Sequence, residues 1–552
     1  MPANRTPFVG RRRELTALLS HLEVAAAGHG GVMLVAGEPG LGKTRLLGEQ
    51  AARTGWLVLS GRAYDGEGLP PYLLFTEALR GYVRTCTNDE LQEWLGRAAA
   101  EVALLVPEVC ERLPDLTQGP SLSPEHERYR LFESVCDVLI ALAHGRESSG
   151  LLLLLDDLHW ADKPSLLLLQ HLARRVTGAR LLVVGAFRRE DLGNEHPLLD
   201  LLATLRREEL GEPLELAALL DDETALLVAQ IAAVEPNAEV AAAIQRRVEG
   251  NPFFVGEVVR HLQAEGFDLA DARVATAGRG LPAGVREVIG RRLARLGAEA
   301  SAALQAGAVL GDGLTFAELR ETCGLPEELL LDALDLVLSA GLLREAGAGY
   351  QFGHALIRET VYAALSLPRR ERLHRRAAEA IERLYAANLK PHVAALAGHW
   401  RLAGSTGDAE KALAYAQQAA EAASSVFAWE DAAQHLQTRL KLLGSRGRGA
   451  TTGYCDALLA LGDAQWRAGN RRAAQLIFEE VMAIAKAIGA ASRFAQAALG
   501  FAGKWSDGET DARSRDLIEE SLTLMPAGDS ALRAALLARL GVVTFNLHES
   551  PG

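Results

Sequence analysis

A glycine-rich loop between an apolar segment and a helical one restricts the possible folds of this chain more than any other part of it. Residues 32–36 read VMLVA, and GEPGLGKT at 37–44 follows at once, a full match to G-x-x-x-x-G-K-[ST]. A strand, such a loop and a helix cradle phosphates with backbone N–H groups. We expect Lys43 to neutralise nucleotide phosphates and Thr44 to ligate Mg²⁺. The alternative is an ordinary glycine-rich turn.

Two carboxylates follow the most apolar stretch of the chain. Asp156 and Asp157 come after five leucines at 151–155, which predicts a buried strand with acids at its carboxyl end. Adjacent buried carboxylates are costly unless a cation compensates them. We therefore expect Asp156 to hold Mg²⁺ through water and Asp157 to orient or deprotonate an attacking water. The alternative is a pair of helix N-cap residues.

Arg188 ends a further apolar segment, 180–188. Ligands of open parallel sheets bind at the carboxyl ends of the strands, so Arg188 is predicted to sense or stabilise a γ-phosphate. The alternative is a solvated arginine beside Arg189 and Glu190.

The order of apolar and helical segments predicts an α/β P-loop NTPase fold with a parallel sheet, followed by helical regions. Strands are predicted at 32–36, 56–61, 151–157 and 180–188, and the segment near 214 is either a strand or the start of a helix. The predicted domains are an NTPase domain at 1–218 with a helical insertion at about 62–145, a helical lid at 219–280, a winged-helix domain at 281–370 and TPR-like helical repeats, incomplete in the chain as given, at 371–552.

The winged-helix prediction depends on three helical segments followed by a hairpin. The helices are expected at 285–296, 301–311 and 326–341, and two strands flank the turn at 346–349. A Gly/Pro linker at 277–284 marks the boundary before them. His354 follows the second strand, where a histidine is more often a helix cap or a core residue than a ligand.

Small residues recur in the helical remainder at 407–420, 429–436 and 461–485. They suit close crossings of paired helices and resemble tetratricopeptide-type hairpins with an irregular period.

Charge and composition exclude several classes of protein. The net charge of −13 disfavours non-specific nucleic-acid binding by the whole surface. The five cysteines are scattered without metal-ligand spacing, which argues against a disulfide framework or a zinc site. The first residues lack the apolar core of a signal peptide, and no apolar run reaches the length of a membrane span. We expect a cytoplasmic protein without membrane contact.

Six motifs together resemble a known family. FVGR (8–11), GEPGLGKTR (37–45), DDLHWAD (156–162), VVGAFR (183–188), EGNPFF (249–254) and FGHALIRE (352–359) occur in this order. They resemble the STAND class of P-loop NTPases (signal-transduction ATPases with numerous domains), above all the ATPase core of large ATP-binding LuxR-type transcriptional regulators. A similar core accompanies some class III adenylate cyclases. The resemblance covers about residues 7–440.

The resemblance implies ATP or ADP with Mg²⁺ as ligands, and a role for particular residues. It places Val9, Gly10 and Arg11 against the adenine, Pro252 in a lid motif that contacts the base, and His354 at the β-phosphate of ADP. Arg188 becomes the sensor residue, and Asp156 and Asp157 become the Walker B acids. The Walker A loop and its flank comprise Gly37, Glu38, Pro39, Gly40, Leu41, Gly42, Lys43, Thr44 and Arg45.

The same resemblance predicts a slow, switch-like ATPase. ADP would hold a closed form, and an inducer or protein partner on the helical repeats would promote exchange for ATP and homo-oligomerisation. DNA would be bound only through a C-terminal helix-turn-helix, and none is found before residue 552. The alternatives are a plain ATPase with rapid turnover, a nucleotide-dependent protein-binding scaffold, and the ATPase module of a cyclase-type signalling protein.

Overall fold

The computed structural model describes most of the chain. The described residues are 7–66, 68–116, 123–145, 149–272, 296–347, 349–445, 451–503 and 512–549, together with 290, 293 and 447. The predicted linker at 277–284 lies outside them, as does nearly all of the helix predicted at 285–296.

A five-stranded parallel sheet forms the centre of the N-terminal part. Its strands are β1 (Gly31–Ala36), β2 (Leu57–Arg62), β3 (Leu151–Asp156), β4 (Leu181–Phe187) and β5 (Pro213–Glu215). They lie in the order β2-β3-β4-β1-β5, and all pairs are parallel. Every residue of β3 and β4 is buried, as a parallel sheet covered on both faces requires. The four predicted strands are confirmed to within one residue, and the segment near 214 is a short edge strand.

Nine α-helices among the described residues of 7–218 accompany this sheet. They are α1 (Arg12–Ala26), α2 (Lys43–Arg53), α3 (Leu73–Val83), α4 (Asn88–Leu95), α5 (Ala99–Leu105), α6 (Glu108–Arg112), α7 (Pro124–Ala143), α8 (Lys163–Arg175) and α9 (Pro197–Arg207). Five of them, α3 to α7, form the helical insertion between β2 and β3. Apolar side chains of α1 and α2, including Leu18 and Leu46, share a buried cluster with Leu152 and Val184 of the sheet.

Three helices follow the sheet: α10 (Asp221–Ala232), α11 (Ala238–Val248) and α12 (Pro252–Ala264). Their buried apolar side chains form one cluster, which also contains Val9 from the start of the chain. The N-terminal segment is therefore tied to these helices by packing, although more than 200 residues separate them in sequence.

A third apolar cluster joins the elements between residues 296 and 384. They are α13 (Ala298–Leu310), α14 (Phe316–Cys323), α15 (Glu327–Ser339), the hairpin of β6 (Leu343–Ala346) and β7 (Gly349–Phe352), α16 (Ala355–Ala363) and α17 (Leu367–Leu384). A single bridge joins Leu314 to Tyr350 of the hairpin. Three described helices precede the hairpin, but α14 was not among the predicted ones.

The rest of the chain is helical in its described residues. The helices are α18 (Val393–Leu402), α19 (Ala409–Ser425), α20 (Trp429–Ser445), α21 (Thr452–Arg467), α22 (Arg471–Ala487), α23 (Ala491–Phe501), α24 (Ala512–Leu524) and α25 (Ala531–Glu549). From α19 onward, successive helices pack against each other. Small residues permit close crossings here: a Cβ added at Gly462 or Gly500 would lie 2.5 Å from the ring of Phe478.

The chain divides into two compact units. One comprises Met1–Pro120, Tyr129–Ala387 and Leu402–Thr406, and the other Ser121–Arg128, Asn388–Arg401 and Gly407–Gly552. The finer division into four domains stays a prediction. In the part of the chain that the structure describes, no helix is both long enough and apolar enough to cross a lipid bilayer.

Candidate nucleotide-binding site

The glycine-rich loop lies where the sequence predicts it, between the end of β1 and the start of α2. Gly40 and Gly42 have φ angles of 86° and 92°, in the left-handed region that favours glycine. A Cβ at Gly40 would also lie 2.6 Å from the side-chain oxygen of Asn251. Because the first turn of a helix leaves its N–H groups without partners inside the helix, the loop and α2 present donors suited to phosphate oxygens.

Lys43 has a buried ammonium group held by the loop itself. Its Nζ donates to the carbonyl oxygens of Gly37 at 2.6 Å and Glu38 at 2.9 Å. Burial, with the nearby charge of Arg188, lowers the pKa of Lys43 to about 8, although Asp157 and Asp156 oppose the shift. A buried lysine whose ammonium group is held by carbonyl oxygens is a suitable partner for an anionic ligand.

Thr44 and Asp156 form the candidate metal position. The hydroxyl of Thr44 donates to Oδ2 of Asp156 at 2.5 Å, so the two predicted ligands are already adjacent. Among the described residues, no cluster of three or more His, Cys, Asp or Glu side chains suits a metal ion. This donor set fits Mg²⁺, which usually takes one or two protein oxygens and completes its shell with phosphates and water.

Asp157 lies directly after β3 in a left-handed conformation, with φ of 56°. Its Oδ2 accepts from Nε of Arg62 at 2.9 Å, and Nη2 of the same guanidinium lies at the same distance in the ion pair. Burial and the neighbouring charge of Asp156 raise the pKa of Asp157 to about 6, despite the ion pair with Arg62. Burial also disfavours the charged form of Arg62. The carboxylates of Asp157 and Asp156 favour that form more strongly, so the pKa of Arg62 is raised. Arg62 was not predicted from the sequence; it lies opposite Asp156 in the register of β2 and β3.

Arg188 follows β4 and is only 5% exposed, so the alternative of a solvated arginine is wrong. Its guanidinium stacks over the ring of Trp160, 4.9 Å from the centroid. Its Nη1 also lies 3.3 Å from Asp191 and 3.1 Å from Glu359 of α16. Both carboxylates are more than one third exposed, and they compensate a cation that points toward the loop side of the sheet.

The N-terminal segment packs beside the glycine-rich loop. Val9 and Arg11 are buried, and Arg11 donates to the carbonyl oxygen of Leu41 at 3.0 Å and to that of Ala217. Gly10 has φ of 71°, and an added Cβ there would meet the carboxylate of Glu223 at 2.4 Å. Val9, Gly10 and Arg11 thus lie between the loop and the helices after the sheet, and their contact with adenine stays a prediction.

The segment around Pro252 also contacts the loop. Pro252 is the first residue of α12, and Asn251 caps that helix by accepting from the N–H of Phe253 at 3.2 Å. The side-chain amide of Asn251 donates to the carbonyl oxygen of Pro39 at 2.8 Å. Pro252 was predicted as a site residue from the sequence, whereas Asn251, which makes the hydrogen bond, was not. Contact of Pro252 with a base stays a prediction.

His354 caps α16, which is one of the two roles that histidines at such a position most often have. Its Nδ1 accepts from the N–H of Leu356 at 3.2 Å, and its ring stacks on Phe253 with centroids 3.9 Å apart. Burial, with the charges of Arg188, Arg62 and Lys43, lowers the pKa of His354 to about 3. The ring therefore lies near the cations of the site, while its contact with a β-phosphate stays a prediction.

The structure brings the loop, the two aspartates and Arg188 to one edge of the sheet. Arg45 is oriented differently, since it forms an ion pair along α2 with Glu49 at 2.8 Å. Four residues that sequence reasoning missed also lie at this edge: Arg62, His159, Asn251 and Glu359. His159, Asn251 and Glu359 stand inside quoted motifs and could have been singled out, whereas Arg62 carries no local signal.

Comparison with known proteins supports the assignment of the N-terminal part. Residues 7–184 match the family described as AAA ATPase domain. An uncharacterized protein of Rhizobium meliloti (strain 1021) is 28% identical over 492 residues, which cover 83% of this chain and 45% of the relative. The chain thus spans less than half the length of that relative.

The similarity to solved structures is weaker. A STAND protein with a tetratricopeptide repeat sensor from Pyrococcus horikoshii is 14% identical, with 99% of this chain and 76% of that chain covered and a TM-score of 0.45. A Walker-type ATPase of Pyrococcus abyssi is also 14% identical, covering 65% of this chain and 99% of that one, with a TM-score of 0.34.

Proposed function

We propose that this chain is an ATP- and ADP-binding signalling switch that hydrolyses ATP slowly. The match of residues 7–184 to the AAA ATPase domain supports nucleotide binding. The glycine-rich loop, the Thr44–Asp156 pair and the buried Lys43 and Arg188 support it from the structure.

Each of these residues has a part in the proposed reaction. Lys43 and the N–H groups at the start of α2 would hold the phosphates, and Arg188 would stabilise charge on the γ-phosphate. Thr44 and Asp156 would hold Mg²⁺, which when bound neutralises charge on phosphate oxygens. Asp157 would orient the attacking water and accept its proton.

The ion pair between Arg188 and Glu359 is the observation that carries the switch. Nη1 of Arg188 lies 3.1 Å from the Glu359 carboxylate, where a γ-phosphate would compete for the same guanidinium. A second ion pair, Arg358 to Asp65 at 3.0 Å, joins α16 to the segment after β2. With ADP bound, Arg188 is free to hold Glu359 and α16 stays in place. With ATP bound, the competition favours release of α16.

The proposal also assigns roles to the regions that follow the sheet. The module from 296 to 370 would be a winged-helix domain, and the helical remainder would bind an inducer or a protein partner. Binding there would favour nucleotide exchange and homo-oligomerisation. The chain would serve as the regulatory ATPase of a LuxR-type transcriptional regulator, with DNA contact through a further domain. Nucleotide can shift such an equilibrium only by its affinity difference between the two forms.

The deciding experiment is to denature freshly purified protein and identify any released nucleotide by chromatography. We expect nearly one ADP per chain, and steady-state hydrolysis well below roughly 10 s⁻¹. Lys43→Ala should lose the nucleotide, while the matched control Lys441→Ala, an exposed lysine of α20, should retain it.

The other outcomes point to other functions. An empty site with rapid turnover would favour a plain ATPase. Bound nucleotide that never exchanges would favour a scaffold in which the nucleotide is structural.

A further inference from the structure

His159 lies in the short turn Leu158–Trp160 that follows the two aspartates, and nothing in the proposed reaction uses it. The residue is 3% exposed, and its side chain is fully buried. Nδ1 accepts from the backbone N–H of Arg188 at 3.4 Å, so the ring joins the end of β3 to the end of β4. The backbone carbonyl of His159 is held in turn by the ring of His196 at 2.9 Å.

This anchoring determines which ring nitrogen carries the proton. In a neutral imidazole one nitrogen donates and the other accepts, and Nδ1 is the acceptor here. Nε2 must then carry the hydrogen. Burial, with the charges of Arg188 and Lys43, lowers the pKa of His159 to about 2, so the ring is neutral.

The Nε2–H group is buried without a hydrogen-bond partner among the described residues. The carboxylate oxygens that it faces are Oδ2 of Asp191 at 3.5 Å and Oδ1 of Asp157 at 3.9 Å. A buried donor that makes no hydrogen bond costs on the order of 1–3 kcal/mol. A shift of less than 1 Å would bring Nε2 within ordinary hydrogen-bond distance of either oxygen.

The two oxygens of Asp157 have different neighbours. Oδ2 lies 2.9 Å from both Nε and Nη2 of Arg62. Oδ1 faces His159. The ion pair with Arg62 by itself lowers the basicity of Asp157, although burial and the charge of Asp156 keep the pKa of this carboxylate raised.

We propose that His159 is a positioning residue for ATP hydrolysis, whose Nε2–H binds Oδ1 of Asp157 and orients that carboxylate toward the attacking water. The inference rests on the proposed function and adds a residue to it. The ring is anchored to the backbone of Arg188, so it couples the placement of the acid to the placement of the arginine that faces the γ-phosphate. Asp191 is the competing acceptor, and it also binds Arg188 at 3.3 Å.

Two substitutions separate this role from a structural one. His159→Gln places an amide N–H near the position of Nε2, whereas His159→Asn places an amide oxygen near Nδ1 and offers no donor to Asp157. The measurement is the single-turnover rate of ATP cleavage, together with the dissociation constant for ADP. The control is His144→Gln, since His144 is exposed just after α7 and its Nδ1 lies 2.8 Å from the Ile140 carbonyl oxygen.

We expect His159→Asn to slow cleavage by roughly 10- to 100-fold, and His159→Gln to stay within about threefold of the unchanged protein. The dissociation constant for ADP should change by less than about threefold in both, because His159 acts through Asp157 and not on the phosphates. If Asn preserves the rate and Gln does not, the ring serves only to satisfy the Arg188 backbone and the proposal is overturned.

A spectroscopic measurement tests the tautomer without hydrolysis. In protein labelled with ¹⁵N-histidine, the signals of His159 are those that vanish in His159→Asn. We expect them to show a neutral ring protonated on Nε2. A proton on Nδ1, or a charged imidazolium, would overturn the proposal.

The proposed hydrolysis and the proposed role of His159 can fail separately in these measurements. If the unchanged protein binds nucleotide but shows no ATP cleavage at all, the proposed hydrolysis fails and the role of His159 falls with it. If cleavage occurs and His159→Asn leaves it intact, only the role of His159 is overturned.

Discussion

Lys43 and Asp157 carry opposite charges in the same buried site, and burial displaces both pKa values toward neutrality. The pKa of Lys43 falls to about 8, and that of Asp157 rises to about 6. Phosphate binding needs the protonated lysine, while water activation needs the ionised carboxylate. We therefore predict a bell-shaped pH profile of kcat/KM for ATP hydrolysis, with limbs near pH 6 and pH 8. Because kcat/KM reports the free enzyme, these pKa values apply directly.

Each limb of this pH profile comes from the titration of one of the two groups. Below about pH 6, Asp157 takes up a proton and the rate falls; above about pH 8, Lys43 loses one and the rate falls again. Arg62→Met removes the cation that favours the carboxylate, so the acid limb should move upward, whereas Arg53→Met, at the exposed end of α2, should leave it in place. An acid limb near the ordinary aspartate pKa of about 4 would contradict this prediction.

Individual residues were predictable where the chemistry is contiguous in sequence. Lys43, Thr44 and Asp156 stand in short motifs whose spacing alone implies their roles. The pairing of Arg62 with Asp157 was not predictable, because it depends on β2 lying beside β3 in a register that places Arg62 opposite Asp156. No local pattern in the sequence specifies that register.

At the scale of elements, α16 reaches the candidate nucleotide site through two ion pairs. Glu359 pairs with Arg188, and Arg358 pairs with Asp65. We predict that Glu359→Gln speeds the release of bound ADP by about three- to tenfold, since a partly exposed ion pair contributes on the order of 1 kcal/mol. The measurement is the exchange rate of a fluorescent ADP analogue by stopped flow.

The matched control is Glu328→Gln, an exposed glutamate near the start of α15. It should leave exchange unchanged. Slower release in Glu359→Gln would mean that the ion pair does not hold the closed form, and it would count against the switch.

The start of α12 is a second element that contacts the loop. Asn251→Ala removes both the cap on Phe253 and the hydrogen bond to the Pro39 carbonyl oxygen. The lost cap alone should cost about 1 kcal/mol of stability. We also predict weaker ADP binding, measured by titration calorimetry, because the loop loses a contact that holds its main chain. Asn237→Ala, which removes the cap of α11 away from the loop, should lower stability without weakening ADP binding.

Elements were predictable in proportion to their length and apolar character. Four strands were located to within one residue, since each contains a continuous apolar run. The strand β5 has only three residues, so the sequence did not distinguish it from the start of a helix. The helix α14 was missed because it is short, although Thr315 and Glu318 form a capping box whose T-x-x-E pattern is visible in the sequence.

At the scale of the whole molecule, the strand order is what assembles the site. The order β2-β3-β4-β1-β5 sets the ends of β2, β3, β4 and β1 side by side, and with them Arg62, Asp157, Arg188 and the loop. A parallel sheet could be predicted from the alternation of strands and helices, which indicated the edge where ligands bind. The approach of Glu359 from more than 170 residues further along the chain could not, because packing between modules leaves no periodic signal.

The division into two compact units predicts that the full chain unfolds in two calorimetric transitions. Only the unit with the nucleotide site should respond to Mg²⁺ and ADP, by about 2.7 kcal/mol at a hundred times the dissociation constant. Phe478→Ala tests the other unit, because Phe478 is buried against Gly462 and Gly500. The cavity should cost roughly 3–5 kcal/mol and lower that transition by on the order of 10 °C, without changing the ADP affinity.

The control is Phe545→Ala, since Phe545 is 60% exposed and its loss should leave both transitions in place. Lys43→Ala should abolish the shift caused by ADP and leave the second transition unchanged. A single transition that both ADP and Phe478→Ala displace would mean that the units unfold as one. Binding of a partner to the helical remainder would then reach the nucleotide site through shared stability, and no separate opening step would be needed.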